Sequence, residues 1–552
     1  MPGGSIFEPK NVAFGAALPL TFFFSWLGLG TIPIPVYPLF DLPLIVFLVR
    51  ATKTLLYDAM LFCFLAFSIG LSYRDFSYDA LASPFDNLAV IALIGSAIAF
   101  LTILPAYIEK IINEKYKKSN FFLFAGLWMA TWLSYRRHSP FGSWGDWAYT
   151  IQGTGDALTQ SASILGLSGI DFLLAWWAHV GAEFLNEFTN AGAGQDDLIS
   201  FGDDDEGTPL LSRDQKEIAA QRSRKKKILS LFAFLAIYTY GASRLNEIES
   251  NTEPLKTFKV ACVLSSPNID ETPSSAMIKH TAKLVTQAKL VLWSESAVPL
   301  SSIHEMELLL TEIKNLTKKH HSNVGVTYTI PTTDNKRLNV LSLIDREGNI
   351  IFNYTKTYPV PIAEGYSTKS GPGILPLEEI DVREPKAHVP LLLNVSAAIC
   401  FDMDFPSLLA QAANANLVLS PAQTWSSRIG LEHLRMASVR AIEQGFWLLR
   451  CDAGGVSGLV DDAGRIRNWQ VASKGGVQDF LWDLPLTEKR TTIYSQYGDW
   501  ASLAILALIA LLTVAPGRYV EKTEQQIDNL FANTYKKILD TLPRGSQRNA
   551  NY

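Results

Sequence analysis

Three apolar runs in this chain each end on a side chain that can do chemistry. "LVLWSES" delivers Glu295, "IIFNYTK" delivers Lys356, and "NVSAAIC" delivers Cys400, followed at once by Phe401 and Asp402. A thiol attacks a carbonyl only as thiolate and therefore needs a base within reach. A carboxylate supplies the base, and an ammonium supplies the positive charge for the oxyanion that the attack creates. A charged residue leaving a strand is by itself ordinary. Three at the ends of three strands describe a cleft able to carry out acyl chemistry through a cysteine. Asp402 leaves the Cys400 strand on the same side. There it either positions backbone or substrate at the cleft or caps a helix expected at 405–414.

The elements around these residues follow from periodicity. "FKVACVLSS", "AKLVLWSESA", "NVGVTYTIP", "VLSLID", "IIFNYTK", "LLLNVSAAICFD", "NLVLSPAQ" and "FWLLRCDAG" read as strands. Helical spacing appears near 275–287, in "SIHEMELLLTEIKNLTKKHH" and in "LEHLRMASVRAIEQG". Turns at "DREGN" and "DDAGR" make hairpins. Strands alternating with helices predict an α/β layered sandwich over 255–490.

That domain occupies only part of the 552 residues, which are 48% hydrophobic yet carry 53 acidic and 48 basic side chains. The apolar residues concentrate elsewhere. Stretches long enough, or nearly so, to cross a bilayer lie at 11–31, 34–50, 54–73, 87–107, 120–136, 160–186, 228–243 and 499–517. The expected organisation is a multi-span membrane domain over 1–245, the α/β domain over 255–490, a last span at 499–517 and a tail over 518–552. The first stretch has one nearby lysine and no small-residue cleavage site, so it reads as a span and not as a cleaved signal.

Lysine and arginine in short loops set the orientation. Arg50 and Lys53; Lys110, Lys115, Lys117 and Lys118; and Arg222 to Lys227 fall on one side, while "RDFSYDALASPFDN" on the other is net acidic. Both termini are therefore expected in the cytoplasm and the α/β domain outside it. Residues 190–226, with "DDDEG" and "RSRKKK", read as a disordered inner loop. Within it "EGTPLL" resembles a dileucine sorting signal. The sequons Asn315-Leu-Thr and Asn353-Tyr-Thr fall in the exterior domain.

The net charge of −5 and the lack of a basic face with interleaved aromatics exclude nucleic acid as a partner. Four cysteines (63, 262, 400, 451) are too few and too scattered for a disulfide framework or a paired-cysteine metal site. No metal and no cofactor is expected.

Glu295, Lys356 and Cys400, in this order and on these strands, resemble the signature of the nitrilase (carbon–nitrogen hydrolase) superfamily. "WSES", "YTKTYPVPIAEGY", "AAICFDMDFP" and the long segment from "TWSSRIGLEHL" to "DDAGRI" carry the likeness. The eight spans, with the domain between the seventh and eighth, are similar to one branch of it, the apolipoprotein N-acyltransferases, as is "WGDWAYTIQGTGDALTQSASILGLSGIDFLL". The resemblance implies an αββα sandwich and a Glu-Lys-Cys catalytic set. It puts Glu364 at a second functional glutamate and Trp425 at a tryptophan after the nucleophile. It further implies an acyl chain taken from a phospholipid by Cys400 and passed to an amine, such as the N-terminus of a lipoprotein. Two departures stand out. The branch reads Cys-Tyr-Glu where this chain has Cys400, Phe401 and Asp402, and "SSR" follows Trp425 in place of Phe-Gly. Alternatives are a membrane-anchored amidase or hydrolase, with water as acceptor, and a non-catalytic lipid-sensing relative.

Overall fold

A computed structural model describes residues 9–31, 33–52, 54–78, 84–116, 120–152, 156–191, 213–250, 256–266, 272–333, 336–361, 363–368, 372–473 and 475–514. "DDDEG", "EGTPLL" and the tail lie outside the described residues.

The first half is helical. The helices are α1 (Pro9–Gly28), α2 (Tyr37–Ala51), α3 (Leu55–Ser72), the short α4 (Arg74–Tyr78), α5 (Pro84–Tyr116), α6 (Leu123–His138), α7 (Leu167–Ala191) and α8 (Arg213–Ser250). Leu55–Ser72, Pro84–Lys115 and Lys227–Glu249 are long and apolar enough to cross a membrane, and Gly15–Gly28 is a shorter apolar helix. Large apolar side chains such as Leu55, Phe67, Leu231 and Phe232 point outward and are mostly exposed. A protein surrounded by water would bury such a surface, so these helices form a membrane domain. The stretch expected to span over 160–186 is broken. Two short turns, Asp156–Thr159 and Ala162–Leu165, precede α7, and Gly166 separates them from it at φ +64. A side chain at Gly166 would collide with the Tyr494 ring.

The second half is a two-sheet sandwich. One sheet runs β13 (Gln478–Leu486), β1 (Lys256–Leu264), β2 (Leu290–Trp293), β4 (Asn323–Pro331), β5 (Arg337–Ile344), β6 (Ile350–Thr355), with the two-residue β3 (Val298–Pro299) beside β4. The other runs β12 (Ile466–Val471), β11 (Val456–Val460), β10 (Trp447–Asp452), β9 (Leu417–Ala422), β8 (Leu392–Ala397), β7 (Leu377–Asp381). The inner strands β1–β2–β4 and β8–β9–β10 pair in parallel. They are buried on both faces, so they read as unbroken apolar runs with little alternation.

Val260, Leu292 and Leu341 from one sheet share a core with Val395, Leu419 and Leu449 from the other. Helices α9 (Pro273–Leu284) and α10 (Ile303–His320) cover the first sheet. Helix α11 (Ser427–Gln444) covers the second. The hydroxyls of Ser302 and Ser426 accept from Glu305 N and Ile429 N and so start α10 and α11. The result is the expected αββα order. A last apolar helix, α12 (Trp500–Val514), follows and packs on α6 through Ile509 against Gly126.

Helix α11 joins the two halves. Its Leu434, Ala437 and Ala441 belong to the sandwich core, and its Met436, Val439 and Ile442 belong to the helical core. Polar contacts reinforce the seat: Gln152 donates to Arg435 O and Ser438, Gln160 to Ala463 O, and Leu167 N to Glu443.

Three expectations need correction. Residues 213–226, expected within a disordered loop, begin helix α8, where helix-forming Gln, Lys, Arg and Ala lead straight into the apolar stretch. Cys262 on β1 and Cys451 on β10 form a disulfide between the sheets, with Cα atoms 5.5 Å apart. Scattered spacing hid it because the partners are 189 residues apart and meet only when the sheets face each other. The helix expected at 405–414 is instead a one-turn helix at Pro406–Leu409 followed by a tight turn at Ala410–Ala412.

Candidate functional site

Each of the three reactive residues sits just past its strand, not on it. Strand β2 stops at Trp293, two residues before Glu295; β6 stops at Thr355; β8 stops at Ala397, three before Cys400. The chain leaves the pleat there, and the side chains converge between the sheets. Cys400 opens a tight turn, Cys400–Asp404, with φ +48. Ser296, next to Glu295, has φ +51. Such conformations cost non-glycine residues about 1–3 kcal/mol and persist only where the surroundings enforce them.

Glu295, Lys356 and Cys400 are all buried, at 2%, 1% and 3% exposure. The Lys356 ammonium donates to Glu295 Oε1 at 2.8 Å and to both oxygens of Glu364 at 2.8 and 2.7 Å. Glu295 also accepts from Asn339 Nδ2 at 2.7 Å and from Gln423 N at 2.9 Å, and the Cys400 thiol is a further hydrogen-bond partner. The carboxylate is therefore held in one orientation, facing the thiol. Glu364 is fixed in turn by Val360 N at 3.0 Å.

Burial raises the Glu295 carboxyl above the usual carboxylate range, against the pull of Lys356. Burial, and then the Glu295 charge, push the Cys400 thiol well up, against Lys356 and Arg450. Burial alone would lower Lys356, but Glu295, Cys400 and Glu364 together outweigh it and raise the ammonium well above its ordinary value. At neutral pH this set is a protonated thiol facing the Glu295 carboxyl, with the Lys356 cation held between Glu295 and Glu364. When the thiol proton moves to Glu295, negative charge leaves the carboxylate and appears on the attacked oxygen. Lys356 touches Glu295 and lies beside Cys400, so it can follow that charge.

Asp402 does not cap the helix at Pro406–Leu409. It accepts from Thr357 N (3.1 Å), Tyr358 N (2.8 Å), Ile399 N (3.1 Å) and Tyr354 Oη (2.7 Å). It thus ties the segment after Lys356 to the turn that bears Cys400. Burial lifts its carboxyl to about 7, against Lys356 and these donors. Phe401 packs edge-on to Phe405, which stacks on Tyr358. Trp425 lies farther out, half-buried. Its indole donates to Phe76 O at 2.8 Å, its ring meets Phe76, and nearby Arg428 pairs with Asp75. This end of the membrane domain thereby borders the cleft.

The sequence reading missed several members. Asn339 carried no signal in the middle of β5. Arg450, Asp404 and His433 form a buried polar group behind the turn, with His433 Nε2 3.9 Å from Asp404. Arg450 pairs with Asp452 at 2.9 Å, and Asp452 also accepts from Thr424 N and Gly455 N. Charged residues within apolar runs, as in "WLLRCD", were the available clue. Among the described residues no cluster of ligating side chains could hold a metal ion.

Residues 266–470 match the model of the carbon–nitrogen hydrolase family. The chain carries a carbon–nitrogen hydrolase domain. Curated relatives extend the similarity. An apolipoprotein N-acyltransferase of Rickettsia typhi is 24% identical over 323 residues, covering 52% of this chain and 62% of the relative. One of Pseudomonas aeruginosa PAO1 is 34% identical over 155 residues, 27% of this chain and 30% of the relative. One of Rhodopseudomonas palustris is 27% identical over 248 residues, 42% and 46% respectively. This chain thus spans less than two thirds of the length of the relatives it matches. Among solved structures, an amidase from Nesterenkonia sp. aligns at 17% identity and a TM-score of 0.36, over 45% of this chain and 95% of that one. The carbon–nitrogen hydrolase domain holds the whole Glu295, Lys356, Glu364 and Cys400 cluster.

Proposed function

We propose that the chain is a membrane-bound N-acyltransferase. Cys400 takes an acyl chain from a phospholipid, and an amine, such as a lipoprotein N-terminus, takes it from Cys400. The observation that carries this reading is the Glu295–Lys356–Cys400 cluster in a domain seated directly on apolar helices. The names of the relatives support the substrate class.

In the first half-reaction the Cys400 thiol gives its proton to Glu295 and bonds to the ester carbonyl carbon. Collapse of the oxyanion, held by Lys356, breaks the ester C–O bond. Glu295 returns the proton to the departing lysophospholipid alcohol. In the second, a neutral amine attacks the thioester, Glu295 takes a proton from it, and the C–S bond breaks. Cys400 leaves as thiol and the product is an amide. One cleft serves both, so kinetics are ping-pong. Glu364 holds Lys356 in place, Asp402 holds the turn, and Trp425 and Phe401 line the cleft and exclude water.

The same reading puts the catalytic domain outside the cytoplasm, both termini inside, and eight spans in α1, α2, α3, α5, α6, α7, α8 and α12. The positive residues near the inner helix ends support it. So does the Cys262–Cys451 disulfide, since such bonds persist in oxidising compartments.

The test is fatty acid release from phospholipid in a bilayer, with and without a primary amine. A transferase accumulates little free fatty acid alone and makes amide rapidly when the amine is added. Steady release at a rate unchanged by amine identifies a hydrolase and overturns the proposal.

A further inference from the structure

The turn that carries Cys400 is held from two sides, and the second side belongs to the membrane domain. The loop 139–146, between α6 and the tight turn Trp147–Ile151, reaches under it. Ser143 donates to the Asp404 carbonyl twice, from its backbone N at 2.7 Å and from Oγ at 2.8 Å, and it is fully buried. Gly142 lies against the same carbonyl at φ +57, where an added Cβ would sit 2.4 Å from that oxygen. The loop itself is anchored. Ser143 Oγ meets Tyr149 Oη at 2.7 Å, and Arg440 of α11 donates to that hydroxyl at 3.2 Å. Asp146 accepts from Ala148 N at 3.0 Å and pairs with Arg136, which also reaches Asp171 at 2.6 Å and Ser168 at 2.7 Å.

We propose that Gly142 and Ser143 are positioning residues for Cys400, so that the membrane domain completes the nucleophile's turn. The left-handed conformation at Cys400 has to be imposed from outside. Asp402 imposes it through Thr357, Tyr358 and Ile399; Ser143 imposes it from beneath, at Asp404. Gly142 is required because only a residue without a Cβ lets the loop approach this closely. The carbon–nitrogen hydrolase domain is then fully competent only on its membrane seat. The inference rests on Cys400 being the nucleophile.

The experiment uses the full chain in lipid nanodiscs with Cys63→Ser, which leaves Cys400 as the one free thiol, since 262 and 451 are paired. The rate of Cys400 alkylation by iodoacetamide is followed against pH in Ser143→Ala, in Gly142→Ala and in the parent, alongside kcat and KM for acyl transfer. Gln160→Ala, which removes a domain contact to Ala463 O away from the turn, is the control. Ser143→Ala and Gly142→Ala are expected to shift the pH profile of alkylation and lower kcat about ten-fold or more, with KM little changed. Gln160→Ala should change neither. Alkylation profiles and kcat within two-fold of the parent in both variants would overturn the proposal, as would equal losses in Gln160→Ala. Because alkylation needs no acyl substrate, a parent that alkylates normally but transfers no acyl group would overturn the proposed function and leave this inference standing.

Discussion

At the residue scale the site depends on one ammonium shared between two acids. Lys356 donates to one oxygen of Glu295 and to both of Glu364 at 2.7–2.8 Å in a buried space. A guanidinium would bring the same charge on a wide planar fork that this space does not admit. Lys356→Arg is therefore expected to lower kcat by about 10²–10³, on the order of 3–4 kcal/mol, nearly as much as Lys356→Ala. The measurement is single-turnover acylation, and near-parent rates in the Arg variant would show that charge alone suffices. On the proposed mechanism the pH dependence follows from Glu295, which can act as base only when ionised. Burial raises its carboxyl, so activity is lost as pH falls through a value above the ordinary glutamate figure of about 4.3. A kcat/KM profile with its acidic limb at or below that figure would contradict this. Glu295, Lys356 and Cys400 were legible because each follows an apolar run directly. Asn339 and Ser143 were not, because nothing near them in sequence marks a contact made across strands or between domains.

At the element scale the parallel strands and the long helices could be read from periodicity and end signals. The irregular pieces could not. The tight turn at Cys400–Asp404 is held by Asp402 through Thr357 and Tyr358 and by Ser143 at the Asp404 carbonyl, contacts far apart in sequence. The Cys262–Cys451 link likewise joins β1 to β10 only after the sheets stack. Closing so long a loop restricts the unfolded chain, and removing such a bond typically costs about 2–5 kcal/mol. Cys262→Ala with Cys451→Ala should lower the thermal midpoint of the sandwich domain markedly while leaving the Glu295–Lys356 pair in place. Thermal unfolding with and without reductant measures it; identical midpoints would mean that the bond contributes nothing. A membrane-impermeant reductant added outside spheroplasts or sealed right-side-out vesicles should reproduce the shift, and protection from it would argue against an exterior domain.

At the scale of the whole molecule each of the eight apolar stretches contains helix, but the one over 160–186 is interrupted at Gly166, and three helices among the described residues are long and apolar enough to cross a membrane. What hydropathy did not reveal is the depth of the seat between the two halves. Helix α11 serves both cores, and the 139–146 loop reaches the turn that bears Cys400. On the proposed function, a cleft built on that seat takes its acyl chain from a lipid ester and keeps water from the thioester. The central claim is that Cys400 carries the acyl chain between two substrates. The direct test is intact-mass and peptide mass spectrometry of the full chain in nanodiscs after exposure to phospholipid alone, then to a primary amine. The account predicts one acyl chain added in thioester linkage at Cys400, stable without amine and discharged as amide when amine arrives. An unmodified Cys400 under conditions where lysophospholipid is produced, or the same adduct in Cys400→Ala, would contradict it.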